Sequence, residues 1–495
     1  MKHNTFIRAL TLLLSAMLLV SSALTLTACG NGEQTDGETS GTDVETVPEA
    51  DTEGPDETLD VPDLDFQQFV FHIYCDNDPI FYEMMDVEDG YTGDAVMDAI
   101  YERNRIIENR FNFTFDVEAG SWGNSYAILQ NQVHAGYSDG ESYELIQLVQ
   151  REAYNAAISG LLYNINKMEY IDTDKEYYFR HVNEQCCFGG YPFFAYGADS
   201  INLMAWTVGL VYNKRIAADL GIENLYDAVR GNTWTHEKLF TLADNAASDL
   251  DGDGKIKSNT DRMGLVGVLN RTVSTLWECS GEFLIVKDED EMPVYNASSS
   301  ERLINIMTNA LNRMDSDAYD VFDTVDKIDI FMDGRSLFFS PIIGQLNTIR
   351  SMEEDYGLLP YPKYDENQAE YISRSGEGFI PCVPATCQDT ERTSAVMQSL
   401  AYYSYKTVYN AYYEQALSAK FLRDPDSVEM LKLILATLTV DIGDSIWFDA
   451  ISTPILAGIA SKKSQTGLGS LFKKYERAAE NQIKKAAKFL ETVER

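Results

Sequence analysis

Between residues 69 and 149 the sequence switches repeatedly between two hydrophobic periods, and that switching restricts the fold more than any motif does. Residues 69–74 (FVFHIY) and 113–117 (FTFDV) are short and rich in aromatic and β-branched side chains, as is the run YELIQLV at 143–149, and all three read as strands. Between them, apolar side chains recur at three- and four-residue spacing from Gly93-Asp94-Ala95 through Ile106 to Phe111, and a second helical run covers about 124–134. Strand, helix, strand, helix, strand predicts a parallel sheet wound by right-handed crossovers, with ligands meeting the loops at the carboxyl ends of the strands. Those loops begin near Cys75, Glu118 and Gln150.

The N-terminal end has a different character. Lys2 and Arg8 precede an apolar run from about Ala9 to Leu26 without a single acid, the pattern of a secretory signal over residues 1–28. It ends in Leu26-Thr27-Ala28-Cys29-Gly30, which resembles the lipobox of bacterial lipoproteins. That resemblance implies acyl chains (palmitate) on Cys29 and a body anchored on the outer face of the cytoplasmic membrane, extracellular in a Gram-positive-type bacterium. Residues 29–65 hold thirteen acids, no Lys or Arg and no aromatic side chain, so they cannot bury enough apolar surface to offset their ordering entropy. They are expected to form a disordered acidic tether with a span of roughly 30–35 Å, stretched further by self-repulsion.

The formal net charge of −39 argues against nucleic acid and anionic lipid as partners, since both select basic surfaces. Cys75, Cys186, Cys187, Cys279, Cys382 and Cys387 are too sparse for a disulfide framework and lack metal-ligand spacing with the five histidines. The roughly 430 residues that follow the tether suit two lobes of ordinary domain size.

A series of ordered landmarks runs along that length: Val211-Tyr212-Asn213-Lys214 before an LGI helix, Asn232-Thr233-Trp234-Thr235 at a helix start, DLDGDGKI at 249–256 leading to Met263-Gly264-Leu265, Asp333-Gly334-Arg335, Leu359-Pro360-Tyr361-Pro362, and Gly376 to Pro381. In this order, downstream of a lipobox and tether, the chain resembles the extracellular solute-binding lipoproteins of ABC importers, in the sugar-type group of maltose- and oligosaccharide-binding proteins. The resemblance implies a two-lobed α/β fold of the periplasmic-binding-protein type, with a hinge between the lobes and a helical C-terminal part. The expected partition is 66–200 and 335–378 for lobe 1, and 201–334 and 379–495 for lobe 2, with crossings near 199–204, 337–341 and 379–384. It further implies a monomer that captures a carbohydrate, delivers it to the permease subunits, makes or breaks no bond and requires no cofactor. Peptide or cationic solutes, and surface binding without a transporter, stand as alternatives. An enzyme, such as a glycoside hydrolase, is the least favoured reading: among 78 acids a pair at glycosidase spacing is inevitable and says little, and no nucleophile elbow, HExxH pair or phosphate loop occurs.

A sugar ring has an apolar face and a hydroxyl rim, so its site needs aromatic platforms beside a few acids and amides. Position selects Trp122 and Gln150 at the carboxyl ends of strands. Tyr196, Asp199 and Trp206 lie around the first crossing, Trp277 in the second lobe, Ser340 and Gln345 after the second crossing, and Glu377 before the third. Trp447 occupies a late position where such proteins often place a stacking residue. Trp234 is assigned to structure, packed beneath a helix capped by Thr233 or Thr235.

Asp249, Asp251, Asp253 and the carbonyl of Lys255 match the first half of a calcium loop, but position 12 is Thr260, with Asp261 one place late. A structural calcium ion and an Asp-Gly turn without an ion both fit these residues. In either case the loop joins a helix to a strand and is not expected to touch solute.

Overall fold

The computed structural model describes residues 58–76, 85, 87, 90–138, 140–413, 422–462 and 467–493; the signal-like segment, Cys29 and most of the tether lie outside them. The predicted alternation is present from the first strand onward. Strand β1 (Phe69–Asp76) leads to helix α1 (Ala95–Phe111), whose first turn is held by Asp94 Oδ1 accepting the N–H groups of Val96 and Met97 at 3.0 and 3.1 Å. Asn112 closes that helix in the left-handed region at φ 53°, and Phe113 already begins β2 (Phe113–Gly120). Helix α2 (Ser125–Ala135) and strand β3 (Leu145–Val149) follow, and α3 (Gln150–Ile158) starts with no intervening loop. β1 is parallel to both β2 and β3.

The second sheet is built from β4 (Leu210–Asn213), β5 (Met263–Val266), β6 (Tyr319–Asp320), β7 (Ser336–Phe339) and β8 (Tyr356–Leu359), in the order β6-β5-β7-β4-β8. β5 is parallel to β6 and β7, whereas β4 runs antiparallel to both of its neighbours, β7 and β8. All five residues of β3 and all four of β4, β5, β7 and β8 are buried, as expected of strands covered on both faces. Trp234 is fully buried with its Nε1 donating to the Pro360 carbonyl at 2.9 Å, while Thr235 caps the helix His236–Ala246, as the sequence indicated.

The lobes divide differently from the expected partition. β7 and β8 belong to the second sheet, so residues 335–378 do not sit with the first lobe, and the chain does not cross near 337–341. The strand β9 (Phe379–Cys382) instead completes the first sheet, antiparallel to β3, in the order β9-β3-β1-β2. The helix after it, Thr390–Tyr403, packs on α1, so 379–413 is first-lobe rather than second-lobe chain. Crossings therefore fall at 199–207 and at 375–379, and the helix Pro425–Ala436 packs on β8 in the second lobe. An apolar strand such as SLFFS suits the middle of either sheet, and only pairing decides which. From 422 on the described chain is mostly helical, interrupted by the short strand Leu438–Thr439 and the turns after it, and the final helix, Leu468–Leu490, contacts elements of both lobes. The six cysteines among the described residues are free thiols.

Candidate functional site

At the end of β3, Gln150 is 1 % exposed and forms a hydrogen-bonded junction. Its Oε1 accepts from the Tyr196 hydroxyl at 2.5 Å, its Nε2 donates to the Gly376 carbonyl at 2.9 Å, and its backbone N–H donates to the Gly378 carbonyl at 3.1 Å. Tyr196 is fixed in turn through its backbone by both ends of the Asn183 amide, at 2.7 and 3.0 Å. Gly378 has to be glycine, because a Cβ there would lie 2.6 Å from the Tyr196 ring. Gln150 and Tyr196 are thus buried behind the second crossing and hold its loop in place. The loop they hold presents Glu377, which is ion-paired with Arg151.

Across from this loop, Arg374 is 4 % exposed in its side chain and is held by two buried acids from the second lobe and the C-terminal part. Its Nε donates to Glu278 Oε1 at 3.0 Å and to Asp444 Oδ2 at 2.7 Å, and a terminal nitrogen reaches Asp444 Oδ2 at 2.5 Å. Asp444 Oδ1 also accepts from the Ser274 and Ser452 hydroxyls. Burial holds the Glu278 carboxyl well above the usual carboxylate range despite Arg374, with Asp444 and Asp441 pushing the same way.

Between these two walls lies a cavity of about 190 Å³ lined by Arg151, Trp206, Asn270, Arg271, Ile342, Arg374, Gly376, Glu377, Ser445, Phe448 and Asp449. It draws on α3, on Trp206 of the first crossing, on Arg374, Gly376 and Glu377 at the second, on the start of the helix Leu269–Glu278 and on the C-terminal segment. Arg271 lies over the Trp206 ring at 5.9 Å and donates to Gln345 Oε1 at 2.8 Å. A larger depression of about 520 Å³, around His236, Phe240, Arg313 and Tyr364, is formed by the second lobe alone.

Of the expected contacts, Trp206 and Glu377 line the cavity, and Gln345 orients one of its arginines. Trp447, at 3 % exposure, packs edge-on to Tyr154 at 6.0 Å and beside Phe188 at 5.7 Å, so it ties α3 to the C-terminal part and offers no open face; its neighbours Phe448 and Asp449 face the cavity instead. Trp277 is fully buried, and Ser340 is buried against the Tyr361 hydroxyl. Asp199 is also interior, and burial pushes its carboxyl up to about 6. Trp122, 48 % exposed, sits against Phe379 at the edge of the first sheet, away from the cavity lining. Arg151, Arg271 and Arg374 are neither platforms nor acids, and only position marks them in the sequence: Arg151 adjoins Gln150, and Arg374 directly precedes the second crossing.

In the 249–256 loop the three carboxylates bring oxygens within 4.8 Å of one another. Asp249 accepts the N–H groups of Gly252 and Gly254 at 2.7 and 2.8 Å, and Lys257 Nζ is ion-paired with Asp253. Asp261 closes the loop from one place beyond position 12, accepting from the N–H groups of Leu250 at 2.8 Å and Lys257 at 2.9 Å.

No family model matches the chain, and no curated protein matches it in sequence. Solved structures match it over nearly their whole length. A sugar transporter protein of Rhizobium etli in an open conformation is 12 % identical, covers 83 % of this chain and 99 % of its own, and superposes with a TM-score of 0.59. The cyclic α-maltosyl-1,6-maltose binding protein of Arthrobacter globiformis is 12 % identical over 84 % of this chain and 99 % of its own, TM-score 0.57. An extracellular solute-binding protein of Staphylococcus aureus in complex with maltose is 10 % identical over 84 % and 98 %, TM-score 0.56. The shared feature is the two-lobed α/β fold that the sequence landmarks implied. Among the described residues no helix is long and apolar enough to cross a membrane.

Proposed function

We propose that this chain is an extracellular binding protein that captures a carbohydrate between its two lobes and hands it to the membrane subunits of an ABC importer, tethered to the membrane through lipidated Cys29. The cavity carries this reading: Trp206 and Phe448 supply apolar surface, and Asn270, Glu377, Ser445 and Asp449 supply hydrogen-bonding groups, from elements of both lobes. Solved relatives of the same fold hold maltose and larger glucosides. At about 190 Å³ the cavity is smaller than the roughly 300–1,000 Å³ usual for ligand pockets, so it encloses about one ring, with the rest of an oligosaccharide extending outward. Solute is retained by closure of the lobes and stabilises the closed form only as far as it binds that form better. Three guanidinium groups around the cavity weigh against the alternative of a cationic solute.

The 249–256 loop is assigned a structural calcium ion held by Asp249, Asp251, Asp253 and the Lys255 carbonyl. The clustering of the three carboxylates supports this assignment.

Thermal shift against pooled mono- and oligosaccharides, dipeptides and polyamines tests the main reading. A rise of several degrees with saccharides alone is expected. A rise with peptides or polyamines alone would contradict it, and release of shorter sugars from the bound saccharide would contradict the absence of catalysis.

A further inference from the structure

In the whole chain acids outnumber bases two to one, 78 to 39, yet the residues that line the cavity include three arginines, Arg151, Arg271 and Arg374, and only two acids, Glu377 and Asp449. The three arginines are not compensated equally. Arg374 has the buried Asp444 at 2.5 Å, and Arg151 is paired with Glu377 and has Asp449 at 4.0 Å. Arg271 is 18 % exposed in its side chain, and its partners are the neutral Gln345 and, at 3.4 Å, Asp326, whose own side chain is 37 % exposed and also takes up the Gln345 amide at 2.7 Å. Burial depresses the affinity of Arg271 for its proton; Asp326 opposes the shift and Arg374 reinforces it, as expected for a cation short of counter-charge. Two helices, Gln150–Ile158 and Leu269–Glu278, contribute first-turn residues to the lining, Arg151 from one and Asn270 and Arg271 from the other.

Resting on the saccharide reading above, we propose that the solute is an anionic saccharide, a ring bearing a carboxylate or a sulfate ester, whose charge Arg271 takes up. The guanidinium fork pairs two oxygens of either group at once, and within a cavity closed from water such a charged pair is stronger than a neutral hydrogen bond. Trp206 keeps that fork in place from beneath, while Gln345 and Asp326 hold one of its ends. A neutral sugar would leave the cation short of counter-charge, so the site selects by charge as well as by shape.

Thermal shift of the full chain against three pools separates the outcomes: neutral malto-, manno- and xylo-oligosaccharides; oligogalacturonates and alginate oligosaccharides, which carry carboxylates; and carrageenan oligosaccharides, which carry sulfate esters and no carboxylate. A shift with either anionic pool, at least tenfold tighter in calorimetric titration than the best neutral sugar, is expected, and the responding pool identifies carboxylate or sulfate. R271Q should reduce that preference to threefold or less with an unchanged ligand-free melting temperature, and R271K should retain part of it, which a merely structural arginine would not do. A shift with the neutral pool alone overturns the anionic assignment and leaves the saccharide reading standing. No shift with any pool overturns both.

Discussion

The two walls of the cavity are built on opposite principles. The first-lobe wall presents the Arg151–Glu377 pair but is backed by a neutral network, with the Tyr196 hydroxyl, the Gln150 amide and the carbonyls of Gly376 and Gly378 satisfying one another inside the protein. The second wall is ionic, Arg374 between Glu278 and Asp444, with the less compensated Arg271 beside it. A buried neutral network mainly fixes geometry, because its polar groups have no other partners. A buried ionic cluster contributes little net stability compared with an apolar core, but it is costly to leave half-made. One wall therefore positions the crossing loop, and the other sets the electrical character of the space in front of it.

The largest effect expected follows from breaking the ionic wall. R374A leaves two acids buried without their cation and should lower unfolding free energy in urea by about 3–5 kcal/mol, whereas E278Q should change it by less than about 1 kcal/mol, because burial already disfavours the charged form of Glu278 and the amide keeps its shape. Equal losses from both variants would show that Glu278 is ionised. W447A opens a cavity between Tyr154 and Phe188 and should cost about 3–5 kcal/mol, with saccharide affinity little changed in W447F; a large affinity loss in W447F would restore its role as a stacking platform.

On the neutral wall, Y196F strands the Gln150 carbonyl and should cost about 1–3 kcal/mol by the same measurement. Asp199, behind the first crossing, gives this side its pH dependence. Its folded pKa of about 6 lies above the unfolded value near 3.8, so the native state binds more protons between these limits. The contribution of this group to stability is therefore greatest below pH 3.8 and falls by about 1.4 kcal/mol per unit as pH rises towards 6. D199N should remove that decline in denaturation curves collected from pH 4 to 7, and identical slopes in both proteins would count against a buried, titrating Asp199. The smallest effect expected is that of a chelator, which should lower the melting temperature by a few degrees through the 249–256 loop and leave saccharide binding intact. No change on chelation would mark the loop as an ion-free turn.

The sequence disclosed those parts of the molecule that depend on local order. Asp94, Asn112 and the apolar spacing between them specify the first crossover helix without reference to the rest of the chain, and Thr235 with Trp234 does the same for a helix start in the second lobe. The lobe membership of 336–339 could not be read this way, since SLFF is equally apolar wherever it pairs, and the decision is made by β5 and β4, more than 70 and 120 residues upstream. The site was legible in part for the same reason. Trp206 and Glu377 are next to crossings that order alone locates, whereas Trp447 and Trp277 have the composition of platforms and the burial of core. Arg271 and Arg374 become visible only when their acids, 55 and 70 to 96 positions away, are folded against them.

Hydrogen exchange of the full chain, with and without the saccharide pool that gives the largest thermal shift, tests the placement of the solute most directly. Protection concentrated at 206–207, 269–272, 374–378 and 445–449 is the predicted result, because those segments enclose the space between the two sheets. Protection centred instead on 236–240 and 306–313, around the larger depression on the second lobe, would contradict it.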